Sequence, residues 1–179
     1  MTYLELLKKI MEVSHITGSF KLRSGVMSDE YFDKYQFESD PQLLINIGEL
    51  LSRKIPKETE VLAGLEIGGI PIATTMGLMR NIPMVFVRKK AKEYGTAKLV
   101  EGTDIKDKNL LIVEDVVTSG GQIILSANEL RNLGATINTA VCVIDREQGG
   151  KEALKEQGIE LISLFTMSEL KNNAIDLNI

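Results

Sequence analysis

An α/β fold, with a parallel five-stranded sheet and helices on both faces, is predicted by three observations. Short apolar runs of strand length recur along the chain. Segments of helical period alternate with them, the pattern of a parallel sheet covered on both sides. Several of the apolar runs lead directly into glycines or charged residues. The chain has 179 residues, enough for one domain with a hydrophobic core and too few for two ordinary ones.

The elements follow in order. Residues 2–14 place Leu4, Leu7, Ile10 and Met11 at helical spacing. Glu5, Lys8, Lys9 and Glu12 run through the same segment, which is therefore read as an amphipathic helix and not a signal peptide. Residues 18–37 mix aromatics, glycines and charges, and suggest short strands and turns. Asp40-Pro41 opens a helix with Leu44, Ile47, Leu50 and Leu51 on one face, ended by Pro56. "EVLAGLE" (60–66) is a buried strand, followed by glycines and a helix over about 70–80. "PMVFVR" (83–88) and "NLLIVED" (109–115) are the second and third strands. A helix from about Gln122 to Leu133 ends at Gly134. "TAVCVID" (139–145) is the fourth strand, "KEALKEQG" (151–158) a short helix, and "IELISLF" (159–165) the fifth strand. Ser168 is placed to cap a last helix.

Composition narrows the function. Hydrophobic residues at 44% and charged residues at 26% fit a soluble globular protein. A net charge of −4 disfavours a general nucleic-acid surface. The single cysteine, Cys142, excludes an intrachain disulfide and fits a reducing, cytoplasmic compartment. No apolar run is long enough to span a bilayer, so no membrane partner is expected. His15, the lone histidine, stands at the end of the first helix and reads as a surface residue.

Open parallel sheets bind ligands beyond the carboxyl ends of their strands. That rule leaves a short set of positions: Glu66-Ile67-Gly68-Gly69, Arg88, Glu114-Asp115 and Asp145-Arg146. The stretch "LLIVEDVVTSGG" (110–121) is the most informative. Its apolar strand delivers two carboxylates to the ligand edge, and Thr118-Ser119-Gly120-Gly121 then turns into a helix. Such a turn offers successive backbone N–H groups, two hydroxyls and a helix N-terminus, which together cradle a phosphate. Carboxylates beside it suit vicinal hydroxyls or waters on a divalent cation. The combination describes a phosphorylated sugar. Neither GxxxxGK[ST] nor GxGxxG is present. The polar segment 89–108 lies between two strands and reads as a lid. Its Arg88, Lys89, Lys90 and Lys92 are suited to an anionic leaving group.

"VEDVVTSGG" resembles the phosphoribosyl-pyrophosphate (PRPP) motif of the type I phosphoribosyltransferases. The resemblance implies that family's fold, a parallel α/β core with a small N-terminal hood over the site and a flexible loop. On this chain it implies a single domain over 1–179, with a hood and base-binding segment at 1–40, a core sheet at 60–165 and a catalytic loop at 88–104. It implies that Glu114 and Asp115 hold the ribose hydroxyls and that Val116, Val117, Thr118, Ser119, Gly120, Gly121 and Gln122 wrap the 5-phosphate. "VRKKAKEYG" (87–95) is similar to the catalytic loop of orotate phosphoribosyltransferases. Arg88, Lys89 and Lys92 match its basic residues, and Tyr94 stands where a histidine is common. These four are the implied pyrophosphate ligands, with Lys89, Lys92 and Asp115 as the catalytic residues. "FKLRSGVMSDEYFD" (20–33) and "IDREQGG" (144–150) resemble the family's base-binding segments. They imply orotate contacts from Arg23, Tyr31, Phe32 and Arg146, with Thr118 as a further one. A guanidinium at a strand end suits a carboxylate because it grips both oxygens. In "GLEIGGIP" (64–71), Gly68 stands where many members carry lysine.

The implied activity is transfer of the 5-phosphoribosyl group from PRPP to orotate in pyrimidine synthesis. Mg²⁺ is the implied cofactor, held through PRPP and water near Asp115 with no direct protein ligand. The implied assembly is a homodimer that shares the catalytic loop between subunits. A phosphoribosyltransferase for another nucleobase, and a PRPP-sensing regulator without catalysis, are the alternatives. At this length no fused decarboxylase is expected.

Overall fold

The computed structural model describes residues 1–21, 25, 27–89 and 99–175. Helix α1 (Tyr3–Ser14) starts at a capping box: Thr2 accepts from the Glu5 N–H, and the Glu5 carboxylate accepts from the Thr2 N–H. It buries Leu6, Leu7, Ile10 and Met11. The chain then forms an antiparallel hairpin of β1 (His15–Lys21) and β2 (Met27–Phe32). His15 is the first residue of β1, with a mostly covered ring 2.9 Å from Glu30 Oε2, so it is not the free surface residue expected. A short helix α2 (Tyr35–Ser39) follows, in a region expected to hold only strands and turns. Helix α3 (Pro41–Ser52) is capped by Asp40, whose carboxylate accepts from the Gln42 and Leu43 N–H groups, and it buries Leu43, Ile47 and Leu51.

The core alternates strand and helix: β3 (Val61–Leu65), α4 (Gly69–Arg80), β4 (Met84–Val87), β5 (Val100–Gly102), β6 (Asn109–Val117), α5 (Gly121–Asn132), β7 (Thr136–Asp145), α6 (Gly150–Glu156), β8 (Glu160–Thr166) and α7 (Met167–Ile175). All five predicted strands are present. The sheet gains a sixth, β5, from the segment read as a lid, giving the order β5-β4-β3-β6-β7-β8. Its pairs are parallel except β4 with β5. Thr166, not Ser168, caps α7: its hydroxyl accepts from the Glu169 N–H while Glu169 accepts from the Thr166 N–H.

Strand periodicity separates two cores. Leu62, Leu111, Val113, Val141 and Val143 face α1, α3 and α4, while Ala63, Leu65, Leu110, Ile112 and Cys142 face α5 and α6. Sheet order reverses direction at the β3–β6 junction, because β4 lies on one side of β3 and β6 on the other. That junction is the topological switch point, where a crevice opens at the strand ends.

Helix α4 packs very closely there. A Cβ on Gly69 would lie 2.2 Å from the Val113 carbonyl oxygen. Gly69→Ala should therefore push α4 away from β6 and lower stability by about 1–3 kcal/mol. Urea unfolding measures this, and an unchanged midpoint would contradict the close approach.

Candidate active site

Strand β6 is longer than expected and carries Glu114 to Val117 past the end of β3. The turn Thr118–Gly120 follows, and α5 starts at Gly121. Gly120 caps α5 with φ at 75°, a left-handed conformation that favours glycine. The turn is braced from behind. A Cβ on Gly150 would lie 2.6 Å from the Thr118 carbonyl oxygen, so the Gly-Gly of "DREQGG" lets the start of α6 support the turn.

A cavity of about 330 Å³ opens at the switch point, lined by Lys34, Glu66, Lys89, Glu114, Asp115 and all residues from Val116 to Ile123. The acidic pair, the phosphate turn and Lys89 are thus brought together as the sequence implies. Thr118 and Ser119 are exposed to the cavity, and the Gln122 amide donates to Ser126 Oγ at 3.2 Å. The Lys89 N–H donates to Glu66 Oε2 at 3.4 Å. Arg88 turns aside into a neighbouring cleft with Lys89, Leu99 and Gln122, its Nε 4.0 Å from Glu101 Oε1. Arg146 is exposed at the end of β7, outside the cavity lining, and its N–H donates to the Val117 carbonyl at 2.8 Å. Tyr31 and Phe32 also lie outside that lining; Tyr31 packs on Phe20 and Phe32 on Phe37. Arg23, Lys92 and Tyr94 lie outside the described residues.

Two residues beside the acidic pair carry no signal in the sequence, Lys34 and Glu38. Asp115 is only 1% exposed, and Glu114 8%. The Lys34 ammonium donates to Asp115 Oδ2. Glu38, 7% exposed, lies beside the same carboxylate, and among the described residues no donor reaches its Oε1. Three carboxyls in one buried place cannot all be charged. Burial, then the Asp115 charge and a hydrogen bond to it, pushes Glu38 up to about 8. Burial and the same charge push Glu114 well above the usual carboxyl range. Burial alone would raise Asp115 too, but its hydrogen bonds with Glu114 and Lys34 and the Lys34 charge outweigh it and hold it low. Of the three, Asp115 is the carboxyl held toward its charged form, and it faces the Lys34 ammonium. Lys34 and Glu38 gave no sequence signal because "DKYQFESD" is polar and aperiodic, and only the fold brings it to β6.

A model of the phosphoribosyl transferase domain matches residues 34–164. The chain is 45% identical over 158 residues to an orotate phosphoribosyltransferase of Nocardioides sp., covering 88% of each chain. It is 43% identical over 166 residues to one from Methanocella arvoryzae, covering 93% of this chain and 94% of the relative. It superposes, with a TM-score of 0.85 and 26% identity, on Mycobacterium tuberculosis orotate phosphoribosyltransferase in complex with inorganic phosphate, covering 94% of this chain and 98% of that one.

The shift at Glu38 has a sign. Its folded value lies above the unfolded one, so its contribution to stability is complete below the ordinary carboxyl value of 4.5 and is lost as pH rises through about 8. Glu38→Gln, which stays neutral and can still donate to Asp115, should flatten the fall in melting temperature between pH 5 and about 8.5. Parallel pH profiles of the two proteins would contradict this.

Proposed function

The chain belongs to the orotate phosphoribosyltransferase family, and we propose that it transfers the 5-phosphoribosyl group of PRPP to orotate, forming orotidine 5′-monophosphate and pyrophosphate in de novo pyrimidine synthesis. The observation that carries this reading is the union, on one strand end, of a buried acidic pair and a helix-capping glycine turn. The turn Thr118–Gly121 directs backbone N–H groups and hydroxyls at the 5-phosphate. Asp115 accepts from a ribose hydroxyl, and Glu114, whose burial favours the neutral form, can in that form both donate and accept.

Orotate's ring nitrogen forms the new bond to the anomeric carbon as the bond to pyrophosphate breaks. The transition state has oxocarbenium character, so no protein nucleophile is needed. Lys89 and Lys92 stabilise the charge that develops on the leaving pyrophosphate. Arg88 and Tyr94 assist them. Arg146 grips the orotate carboxylate, and Arg23, Tyr31, Phe32 and Thr118 complete the base pocket.

The residues fit a magnesium ion carried by the substrate. Among the described residues no three His, Cys, Asp or Glu side chains form a metal cluster, and Asp115 is already engaged by Lys34. Mg²⁺ would supply charge neutralisation to the leaving pyrophosphate, with Asp115 the residue that would help hold it. The enzyme works as a cytoplasmic homodimer whose catalytic loops cross between subunits. Among the described residues no helix is long and apolar enough to cross a membrane.

The ultraviolet absorbance of orotate should change on addition of PRPP and Mg²⁺, with pyrophosphate released in equal amount. Release with another base but not with orotate would overturn the assignment of substrate. Lys89→Ala should lower turnover by ~10²–10³-fold. Arg146→Ala should raise the orotate KM with little effect on that of PRPP, and an unchanged orotate KM would refute its role.

A further inference from the structure

Lys34 is held in place with more care than a chance surface cation. Asp33 fixes the turn that carries it: the Asp33 N–H donates to the Ser14 carbonyl at 2.8 Å, and its carboxylate accepts from the Tyr35 N–H at 3.1 Å and the Gln36 amide at 2.9 Å. Phe37, fully buried, anchors α2 below. Lys34 thereby reaches across to Asp115, 81 residues further along the chain. Its side chain remains 33% exposed and lines the cavity, while Asp115 is 1% exposed.

The loop after β3, Glu66-Ile67-Gly68, carries no cation. A Cβ on Gly68 would lie 1.8 Å from Asp115 Oδ2, the same oxygen that Lys34 holds, and 2.6 Å from Glu38 Oε1. With the Asp115 and Glu38 carboxylates placed as they are, the space beside Gly68 is taken, and the glycine itself offers only backbone there. Among the described residues, Lys34 and Lys89 are the two cations lining the cavity, and Lys89 is the more exposed. A substrate with two anionic ends needs a positive group near its centre as well as at the rim. Asp115 cannot serve a ribose hydroxyl fully while its Oδ2 is engaged by an ammonium.

We propose that Lys34 is a PRPP-binding residue: it balances Asp115 before the donor binds, then exchanges that carboxylate for the pyrophosphate oxygens as the ribose hydroxyls take its place. One ion pair replaces another, so the buried carboxylate is never left without a partner. In PRPP the 2-hydroxyl adjoins the anomeric oxygen, so an ammonium displaced from Asp115 by that hydroxyl would need only a rotation of its flexible stem to reach the pyrophosphate. This inference rests on reading the cavity as the PRPP site.

Steady-state pyrophosphate release by the full chain, with Lys34→Met and Lys34→Arg, tests it. Removing a hydrogen bond to a charged group predicts a PRPP KM about tenfold or more higher for Lys34→Met, with the orotate KM within about twofold of wild type. Lys34→Arg should recover most of the loss. A purely structural ion pair would instead lower the melting temperature and leave the PRPP KM unchanged, which would overturn the proposal. So would equal rises in both KM values. Should Lys34→Met not fold, Lys34→Gln keeps a donor to Asp115 without the charge and carries the same test. Wild-type protein inert with PRPP and orotate would sink the parent reading; an active wild type with an unaffected variant would sink this one alone.

Discussion

Everything at the site depends on burying two adjacent carboxyls at the end of β6 without leaving two adjacent charges. Water would keep both ionised, but the cavity floor excludes it from Asp115 almost entirely. The fold resolves the conflict by protonation and by one ammonium. Glu114 and Glu38 are pushed toward the neutral form, Asp115 is held toward the charged one, and Lys34 balances it. The Lys34 ammonium thus offsets negative charge at the cavity floor. The acidic pair can serve sugar hydroxyls without repelling the phosphates on either side.

The surrounding architecture reads as support for that arrangement. Gly69 lets α4 settle against the Val113 carbonyl, which fixes where the acidic pair emerges. Gly150 lets α6 press on the Thr118 carbonyl, which fixes the phosphate turn. Gly68 leaves room for the Asp115 carboxylate itself. Each glycine serves close approach between backbone and a neighbour, and together they set the crevice at the switch point.

The alternation of apolar strands and helices made the core legible, because buried parallel strands leave continuous apolar runs such as "LLIV". The acidic pair and glycine turn were legible because local sequence alone builds them. What escaped depends on distance along the chain. Val100–Gly102 carries no apolar signal as a strand, since it is a three-residue edge paired only with β4. Helix α2 has five residues, too few for a period to register. Lys34 and Glu38 acquire meaning only when that helix is laid beside β6. The cap of α7 was misplaced by two residues because Thr166 and Ser168 both precede helix-forming sequence, and only the partner Glu169 decides between them.

The central claim is a division of labour, in which the turn grasps phosphate and the acidic pair grasps the sugar. Isothermal titration of ribose 5-phosphate and of inorganic phosphate into wild type and Asp115→Asn separates the two. Wild type should bind both, and the variant should bind inorganic phosphate at least as tightly while losing about tenfold or more in affinity for ribose 5-phosphate. Equal losses for both ligands, or no heat from ribose 5-phosphate with wild type, would contradict it.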